Sequence, residues 1–210
     1  MSRRIVGSLF ALALAGGAFF AGRASSDEPP TGGTAAKPPS MDEMMKEWAK
    51  LKAPGPQHEL LKTFEGNWLG TGAWTDAGMT IKFTETVAGK MIFGGRFWQG
   101  DIKVTTEAAA GMPAMTSAAT IFLGYDNATQ KFVHAMIGEW STSIATSEGT
   151  YDEGTKSFTM TGTESMGPGK ERKYRMVHKI VSNDEWTLRM YFTGPDGKEM
   201  DSGGGVFKRK

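Results

Sequence analysis

The sequence predicts an all-β protein, an up-and-down antiparallel β-barrel of about ten strands preceded by an N-terminal helix. Three observations carry this prediction. The segment that begins Gly66-Asn67-Trp68 places glycine at every second position around its tryptophan, which is typical of a strand that bends sharply and passes close to its neighbours. Beyond residue 66, apolar and polar residues alternate with a period of two, and turn signals separate the alternating stretches. Helical periodicity is lost there, and about ten sequential antiparallel strands without helices between them favour a barrel over a sandwich.

The first 24 residues have the pattern of a secretory signal peptide. Arg3 and Arg4 precede an apolar run, and Gly22 and Ala24 suit the −3 and −1 positions of a cleavage site. We therefore expect an exported protein, periplasmic or secreted. The alternative is an uncleaved anchor, because the apolar run is barely long enough to span a bilayer. Membrane contact is then expected through this segment only.

Two further segments precede the predicted barrel. Residues 25–39 have no large apolar side chains, and we expect them to form a disordered linker. Residues 40–65 are expected to form an N-terminal helical segment, because Ser40 and Glu43 match a capping box. An apolar stripe follows at helical spacing, formed by Met41, Met44, Met45, Trp48 and Leu51. The run Ala53-Pro54-Gly55-Pro56 ends this helix.

The predicted barrel occupies residues 66–210. Alternation places its ten strands near residues 67–75, 79–87, 90–102, 116–125, 131–140, 142–151, 157–165, 172–181, 185–193 and 203–208. Two turns share the pattern Tyr-Asp-x-x-Thr-x-x-Phe, beginning at Tyr125 and at Tyr151. The two turns lie 26 residues apart in the sequence, which is the length of one pair of hairpin strands, so the repeat indicates successive turns of a meander.

Composition excludes several classes of function. The chain has no cysteine, which rules out catalytic thiols, cysteine-based metal sites and lipoprotein attachment. Removing residues 1–24 takes away three arginines and no acid, so the net charge of +1 becomes −2. Without a cluster of lysine and arginine, there is no electrostatic basis for binding nucleic acid.

Several stretches of the predicted barrel carry a family resemblance. They are Gly66–Trp68, Gly94–Phe97, Gly124–Asn127, Ser147–Asp152 and Thr193–Glu199. Through them the chain, from about Pro56 to Lys210, resembles a bacterial family of exported, lipocalin-like domains of unknown function. The resemblance implies a calycin-type barrel and brings no established activity.

Two remoter resemblances concern the first strand. In lipocalins, a basic residue of the last strand stacks on the tryptophan of Gly-x-Trp, and the likeness implies this role for Arg209. The stretch Gly66–Gly72 is also similar to the opening of nitrobindin-type haem barrels, which implies haem, but this likeness does not extend beyond Gly72.

The candidate ligand-binding residues are those that alternation places on the interior face. His134 shares its face with Phe132, and His178 shares its face with Met176. Arg96 would point inward with Trp98 and need an acidic partner, such as Glu148, or an anionic ligand. Alternatively, the strand bulges at Gly94-Gly95 and Arg96 snorkels outward. The full candidate set is Trp68, Arg96, Trp98, His134, Met136, Trp140, Tyr174 and His178.

The sequence assigns no catalytic residue, metal site or cofactor. His58, His134 and His178 do not have metal-ligand spacing. The run Asp201-Ser202-Gly203-Gly204 is similar to a serine-protease nucleophile segment, but only eight residues follow Ser202, too few to form a specificity pocket.

Three functional hypotheses remain. The first is non-enzymatic binding of a small, largely apolar ligand in the barrel cavity. The second is a structural or interaction module with a filled barrel, whose N-terminal helix docks on a partner. The third is a haem-binding protein or an enzyme that uses an interior histidine. The residues do not predict the oligomeric state.

Overall fold

The computed structural model describes residues 38–76, 78–109 and 111–210. The expected signal peptide and all but the last two residues of the expected linker lie outside them. The described elements are helices α1 (Met41–Lys52) and α2 (Pro56–Leu61), a 3-10 turn (Lys62–Phe64), and strands β1 (Gly66–Asp76), β2 (Met79–Ile92), β3 (Phe97–Thr106), β4 (Met115–Asp126), β5 (Lys131–Gly138), β6 (Ala145–Asp152), β7 (Ser157–Gly167), β8 (Lys170–Ser182), β9 (Glu185–Thr193) and β10 (Glu199–Arg209). Neither helix has the length and hydropathy needed to cross a membrane.

The ten strands form a closed antiparallel barrel. Each strand pairs with its neighbours in sequence, and β1 pairs with β10 to close the sheet. This confirms the predicted architecture. The largest difference in bounds is at the third strand, which was expected from residue 90 but begins at Phe97. The reason is a turn at residues 93–96, where Phe93, Gly94 and Gly95 have φ angles of 49°, 65° and 83°.

The connections between strands define two ends of the barrel. The turns that join β1 to β2, β3 to β4, β5 to β6, β7 to β8 and β9 to β10 lie at one end, which we call the mouth. The other four turns lie at the opposite end, the base, where α2 and the 3-10 turn enter β1. Leu61 and Phe64 from these two elements are buried and belong to the barrel core.

The repeated Tyr-Asp-x-x-Thr-x-x-Phe pattern forms two equivalent turns at the base. Asp126 accepts hydrogen bonds from the Ala128 amide at 2.9 Å and from the Thr129 hydroxyl at 2.8 Å. Asp152 accepts from the amide and the hydroxyl of Thr155, both at 2.7 Å. The aspartate and threonine of each repeat therefore hold a tight turn in place, which explains why the pattern recurs.

Trp68 closes the base from inside. Its side chain is 1% exposed, and its indole Nε1 donates to the Phe64 carbonyl at 3.0 Å. The guanidinium of Arg209 lies 4.2 Å from the ring centroid of Trp68, which confirms the expected stacking. The glycines of β1 make room for neighbouring strands, since a Cβ at Gly70 would lie 2.3 Å from the ring of Phe207.

Helix α1 begins with the predicted capping box and buries no side chain. Ser40 and Glu43 hydrogen-bond reciprocally. Hydrogen bonds from a turn of the barrel reach the C-terminal end of the helix, where Asn127 donates to the carbonyls of Leu51 and Ala53 at 2.8 Å. The predicted apolar stripe is exposed: Met41 68%, Met44 46%, Met45 51%, Trp48 56% and Leu51 48%.

Candidate ligand-binding cavity

The barrel encloses an interior cavity of about 50 Å³. Nine of its twelve lining residues are apolar or aromatic, namely Phe64, Val87, Trp98, Ile102, Ile121, Leu123, Trp186, Leu188 and Phe207. The other three, Glu85, His134 and His178, are titratable. The lining contains no lysine or arginine, so Glu85 is the only residue that can place a formal charge here near neutral pH.

Glu85 lies on β2, on the same face as the buried Phe83 and Val87. Burial raises the pKa of its carboxyl from 4.5 to about 7. No group among residues 38–76, 78–109 and 111–210 donates a hydrogen bond to this carboxyl. Glu85 is partly buried, and a carboxylate that loses much of its hydration without gaining a partner is costly, which is why its protonated form persists to higher pH.

The two histidines are held as neutral rings. His134 on β5 is 6% exposed, and its Nδ1 lies 3.3 Å from the Ser147 hydroxyl of β6. Burial lowers the pKa of His134 from 6.5 to about 4. Burial, together with the proximity of His134, lowers the pKa of His178 to about 3. Both imidazoles are therefore uncharged at neutral pH.

Trp186 contributes a buried donor to the same cavity. Its side chain on β9 packs against Phe64 with ring centroids 5.5 Å apart and stacks on Phe207 at 3.7 Å. Its indole Nε1 is buried and has no hydrogen-bond partner in the part of the chain that the structure describes. By contrast, Nε1 of Trp98 donates to the Phe64 carbonyl at 2.9 Å. An unpaired buried N–H group costs about 1–3 kcal/mol.

Glu85 makes the stability of the fold depend on pH. Its raised pKa means that, between pH 4.5 and 7, the folded state binds more protons at this site than the unfolded state. Its contribution to stability is therefore complete at low pH and is lost as pH rises through 7. The difference in free energy of unfolding, Glu85→Gln minus wild type, should therefore increase by about 2–3 kcal/mol between pH 5 and pH 8.

Urea unfolding at both pH values measures this change. The lowered pKa values of His134 and His178 have the opposite effect, since they reduce the free energy of unfolding as pH falls below 6.5. This effect is the same in wild type and Glu85→Gln. Glu47→Gln, on the exposed side of α1, is the matched control and should show no such change. If Glu85→Gln and wild type showed the same pH dependence of the free energy of unfolding, the pKa of Glu85 would not be raised by burial.

Six of the eight predicted site residues face the barrel interior. Trp98, His134 and His178 line the cavity. Trp68, Met136 and Tyr174 lie outside its lining: Trp68 plugs the base, Met136 packs on the core, and the Tyr174 hydroxyl donates to the Thr146 carbonyl at 3.1 Å. His58 lies in α2 rather than in the barrel.

Two residues of the candidate set do not face the interior, and for Arg96 the structure favours the alternative, in which the chain deviates at Gly94-Gly95 and the side chain lies outside. Arg96 does not point inward, because it belongs to the turn between β2 and β3, where its guanidinium donates to the carbonyls of Lys52 at 2.7 Å and Phe93 at 2.9 Å. Glu148, its suggested partner, pairs with Lys131 instead. Trp140 is 52% exposed, because β5 ends at Gly138 and the indole folds back over that glycine at the mouth.

Sequence reasoning missed Glu85, Trp186 and Phe64 as lining residues. The signal for Glu85 was present, since it alternates in step with Phe83 and Val87 on the interior face. Trp186 was likewise on the apolar face of its strand. Phe64 precedes the barrel, and no strand pattern indicates that it points inside.

An ion-pair cluster lies at the mouth. Arg172 on β8 pairs with Glu164 of β7 at 2.6 Å and with Asp76 of β1 at 2.9 Å, while its guanidinium lies 3.5 Å from the centroid of Phe192. Because β9 and β10 separate β8 from β1 in the sheet, the contact with Asp76 bridges non-adjacent strands.

The barrel is similar to the crystal structure of Rv2717c from M. tuberculosis, with a TM-score of 0.53 and 15% identity, covering 75% of this chain and 99% of that chain. At this identity the likeness shows the fold alone. The S-type phycobiliprotein lyase CPES from Guillardia theta has a TM-score of 0.49 at 9% identity, covering 78% of this chain and 97% of that chain. A de novo designed fluorescence-activating β-barrel has a TM-score of 0.40 at 11% identity, and the match covers 71% of this chain and 96% of the designed chain.

Sequence comparison identifies the family. No curated protein matches the chain. A family model matches residues 53–209, which include α2 and the whole barrel. The chain therefore belongs to the family described as a protein of unknown function, DUF1579.

Proposed function

We propose that this protein binds a small, largely apolar ligand in the barrel cavity, without catalysing a reaction on it. The observation that carries the proposal is the unpaired, buried indole N–H of Trp186 in an otherwise mostly apolar lining. A bound hydrogen-bond acceptor would remove the cost of leaving that donor unpaired. Sites for small molecules commonly combine an apolar wall with a few polar groups that orient the ligand.

The size of the cavity limits the ligand. Pockets for drug-sized molecules measure about 300–1,000 Å³, whereas this cavity measures about 50 Å³. A ligand of a few heavy atoms suits it, and a larger one requires lining side chains to move. Haem does not fit this volume, although His134 and His178 both face the interior, and the described residues contain no group of three or more potential ligands placed to hold a metal ion.

The exposed stripe of α1 supports a second candidate function, that of an interaction module. Five large apolar side chains on one side of a short helix are each at least 46% exposed. Contiguous exposed apolar surface of this kind marks interaction sites in soluble proteins. In this alternative the barrel is a filled scaffold, and small-molecule binding is absent.

A variant that fills the cavity distinguishes the two functions. Ile121 lines the cavity from β4, and we expect Ile121→Phe to abolish binding by occupying the space. Ile137 on β5 is 47% exposed, so Ile137→Phe is a matched control that should leave binding intact.

Native mass spectrometry of protein purified from its own host provides the measurement. The expected result is a small co-purifying mass on wild type and Ile137→Phe that is lost from Ile121→Phe. A bare chain in all three proteins would favour the interaction module.

A further inference from the structure

We propose that the ligand of this cavity is a small organic cation, a protonated amine on a short apolar body, with Glu85 as its counter-ion. This inference rests on the proposed function and deepens it. Three features of the lining lead to this class of ligand: its charge, its aromatic side chains and its neutral histidines.

The charge of the cavity favours a cation. Glu85 faces a lining without lysine or arginine, and His134 and His178 are the only other titratable groups in that lining. Glu85 is partly buried, and a carboxylate that loses hydration without a partner is unfavourable, whereas an ammonium group beside it offsets part of that loss. A carboxylate ligand is disfavoured at the same place, because two buried negative charges repel each other.

The aromatic side chains suit the same ligand. Phe64, Trp98, Trp186 and Phe207 all line the cavity. The faces of aromatic rings attract cations, most strongly when water is excluded, and this is how proteins commonly recognise ammonium groups. One face of Trp186 is occupied by Phe207, since the two rings stack with an interplanar angle of 2°. Phe64 and Trp98 also line the cavity and supply apolar surface for the short body of the amine.

The histidines are compatible with the same ligand. His134 and His178 are neutral at physiological pH, because burial holds both pKa values well below 6.5. A neutral imidazole has one unprotonated nitrogen that can accept an N–H, although Nδ1 of His134 already lies 3.3 Å from the Ser147 hydroxyl. Because both rings line the same cavity as Glu85 and are uncharged, they do not repel an ammonium group there. The Trp186 N–H remains available for an oxygen on the ligand or for a water molecule that accompanies it.

Three probes of nearly equal size test the charge preference. Ethylamine is a cation at pH 8, ethanol is neutral, and acetate is an anion. The readout is the indole N–H resonance of Trp186 in a ¹H–¹⁵N NMR spectrum, assigned by its loss in Trp186→Phe. We expect ethylamine to shift this resonance saturably, with an affinity at least about tenfold higher than that of ethanol or acetate.

Glu85→Gln isolates the proposed counter-ion. It should reduce the preference for ethylamine over ethanol by about tenfold or more, while Glu47→Gln keeps the wild-type preference. If Glu85→Gln does not fold, wild type at pH 5 serves instead. Glu85 is then protonated, since its pKa is about 7, whereas both cavity histidines remain mostly neutral, so the preference should also fall.

The possible outcomes separate this inference from the proposed function. Ethanol or acetate binding as tightly as ethylamine would overturn the cation inference but support a ligand cavity. An unchanged preference in Glu85→Gln would also overturn it. Failure of all three probes to bind would overturn it as well, and the proposed function would then be judged by the co-purifying mass in wild type and Ile121→Phe.

Discussion

Trp68→Ala is expected to lower the free energy of unfolding by about 3–5 kcal/mol, in line with large-to-small changes in protein cores. The ring is 1% exposed, its Nε1 donates to the Phe64 carbonyl, and the Arg209 guanidinium covers it. Alanine would leave a cavity at the base and remove one of two indole donors to that carbonyl. Urea unfolding monitored by circular dichroism measures the loss.

Trp140→Ala is the matched control for this substitution. Trp140 is 52% exposed in a turn at the mouth, so its loss should change the free energy of unfolding by less than about 0.5 kcal/mol. If the two alanine variants were equally stable, Trp68 would not plug the barrel, and the lipocalin-like interpretation of the first strand would be wrong.

Phe158→Ala is expected to destabilise the barrel by a similar amount, about 3–5 kcal/mol. Phe158 is fully buried and lies at the centre of an aromatic cluster near the base. Its ring centroid is 5.6 Å from that of Phe64, 4.8 Å from that of Phe132 and 4.7 Å from that of Tyr151. Each contact adds to the apolar area removed from water, and alanine would lose all of them together.

Phe93→Ala provides the control for Phe158, because Phe93 is 73% exposed in the turn between β2 and β3. Thermal and urea unfolding of the two variants should differ by several kcal/mol in the free energy of unfolding. A loss for Phe158→Ala no larger than that for Phe93→Ala would mean that the base is not held by this cluster.

The polar groups inside the barrel connect its stability with its proposed function. The Trp186 N–H is buried without a partner among the described residues, and Glu85 is partly buried with a pKa that burial raises to about 7, so both groups cost stability in the free protein near neutral pH. A ligand that pairs with them would raise the free energy of unfolding by mass action. Ile121→Phe, which fills the cavity, and Glu85→Gln, which removes the carboxylate, should therefore each change both ligand binding and the free energy of unfolding. The two quantities can be measured separately.

Much of this molecule was determined by local sequence patterns. Alternation of apolar and polar residues predicted ten strands, because side chains of a strand point to opposite faces in turn. Gly66-x-Trp68 and the glycines that follow predicted a strand in close contact with its neighbours, and the packing of Phe207 on Gly70 confirms it. The capping box at Ser40 and the two Asp–Thr turns were also predictable, since each depends on residues within four positions of one another. Export stays a prediction.

The candidate site was only partly predictable, and the failures have a common physical cause. Trp98, His134 and His178 were correctly placed inside because they lie within regular strands. Arg96 was misplaced because it directly follows Gly94 and Gly95 in the turn between β2 and β3. Trp140 was misplaced because β5 ends two residues earlier, at Gly138. Alternation loses its meaning wherever a strand ends.

The tertiary structure alone decided which interior residues meet at the cavity. Glu85, His134, His178 and Trp186 come from β2, β5, β8 and β9, and Phe64 enters from outside the barrel sequence. Strand alternation determines which side of the sheet a residue faces, but the stagger of ten strands around a closed barrel determines its depth along the axis. That depth leaves the Trp186 N–H without a hydrogen-bond partner among the described residues, while Trp68 and Trp98 share the Phe64 carbonyl.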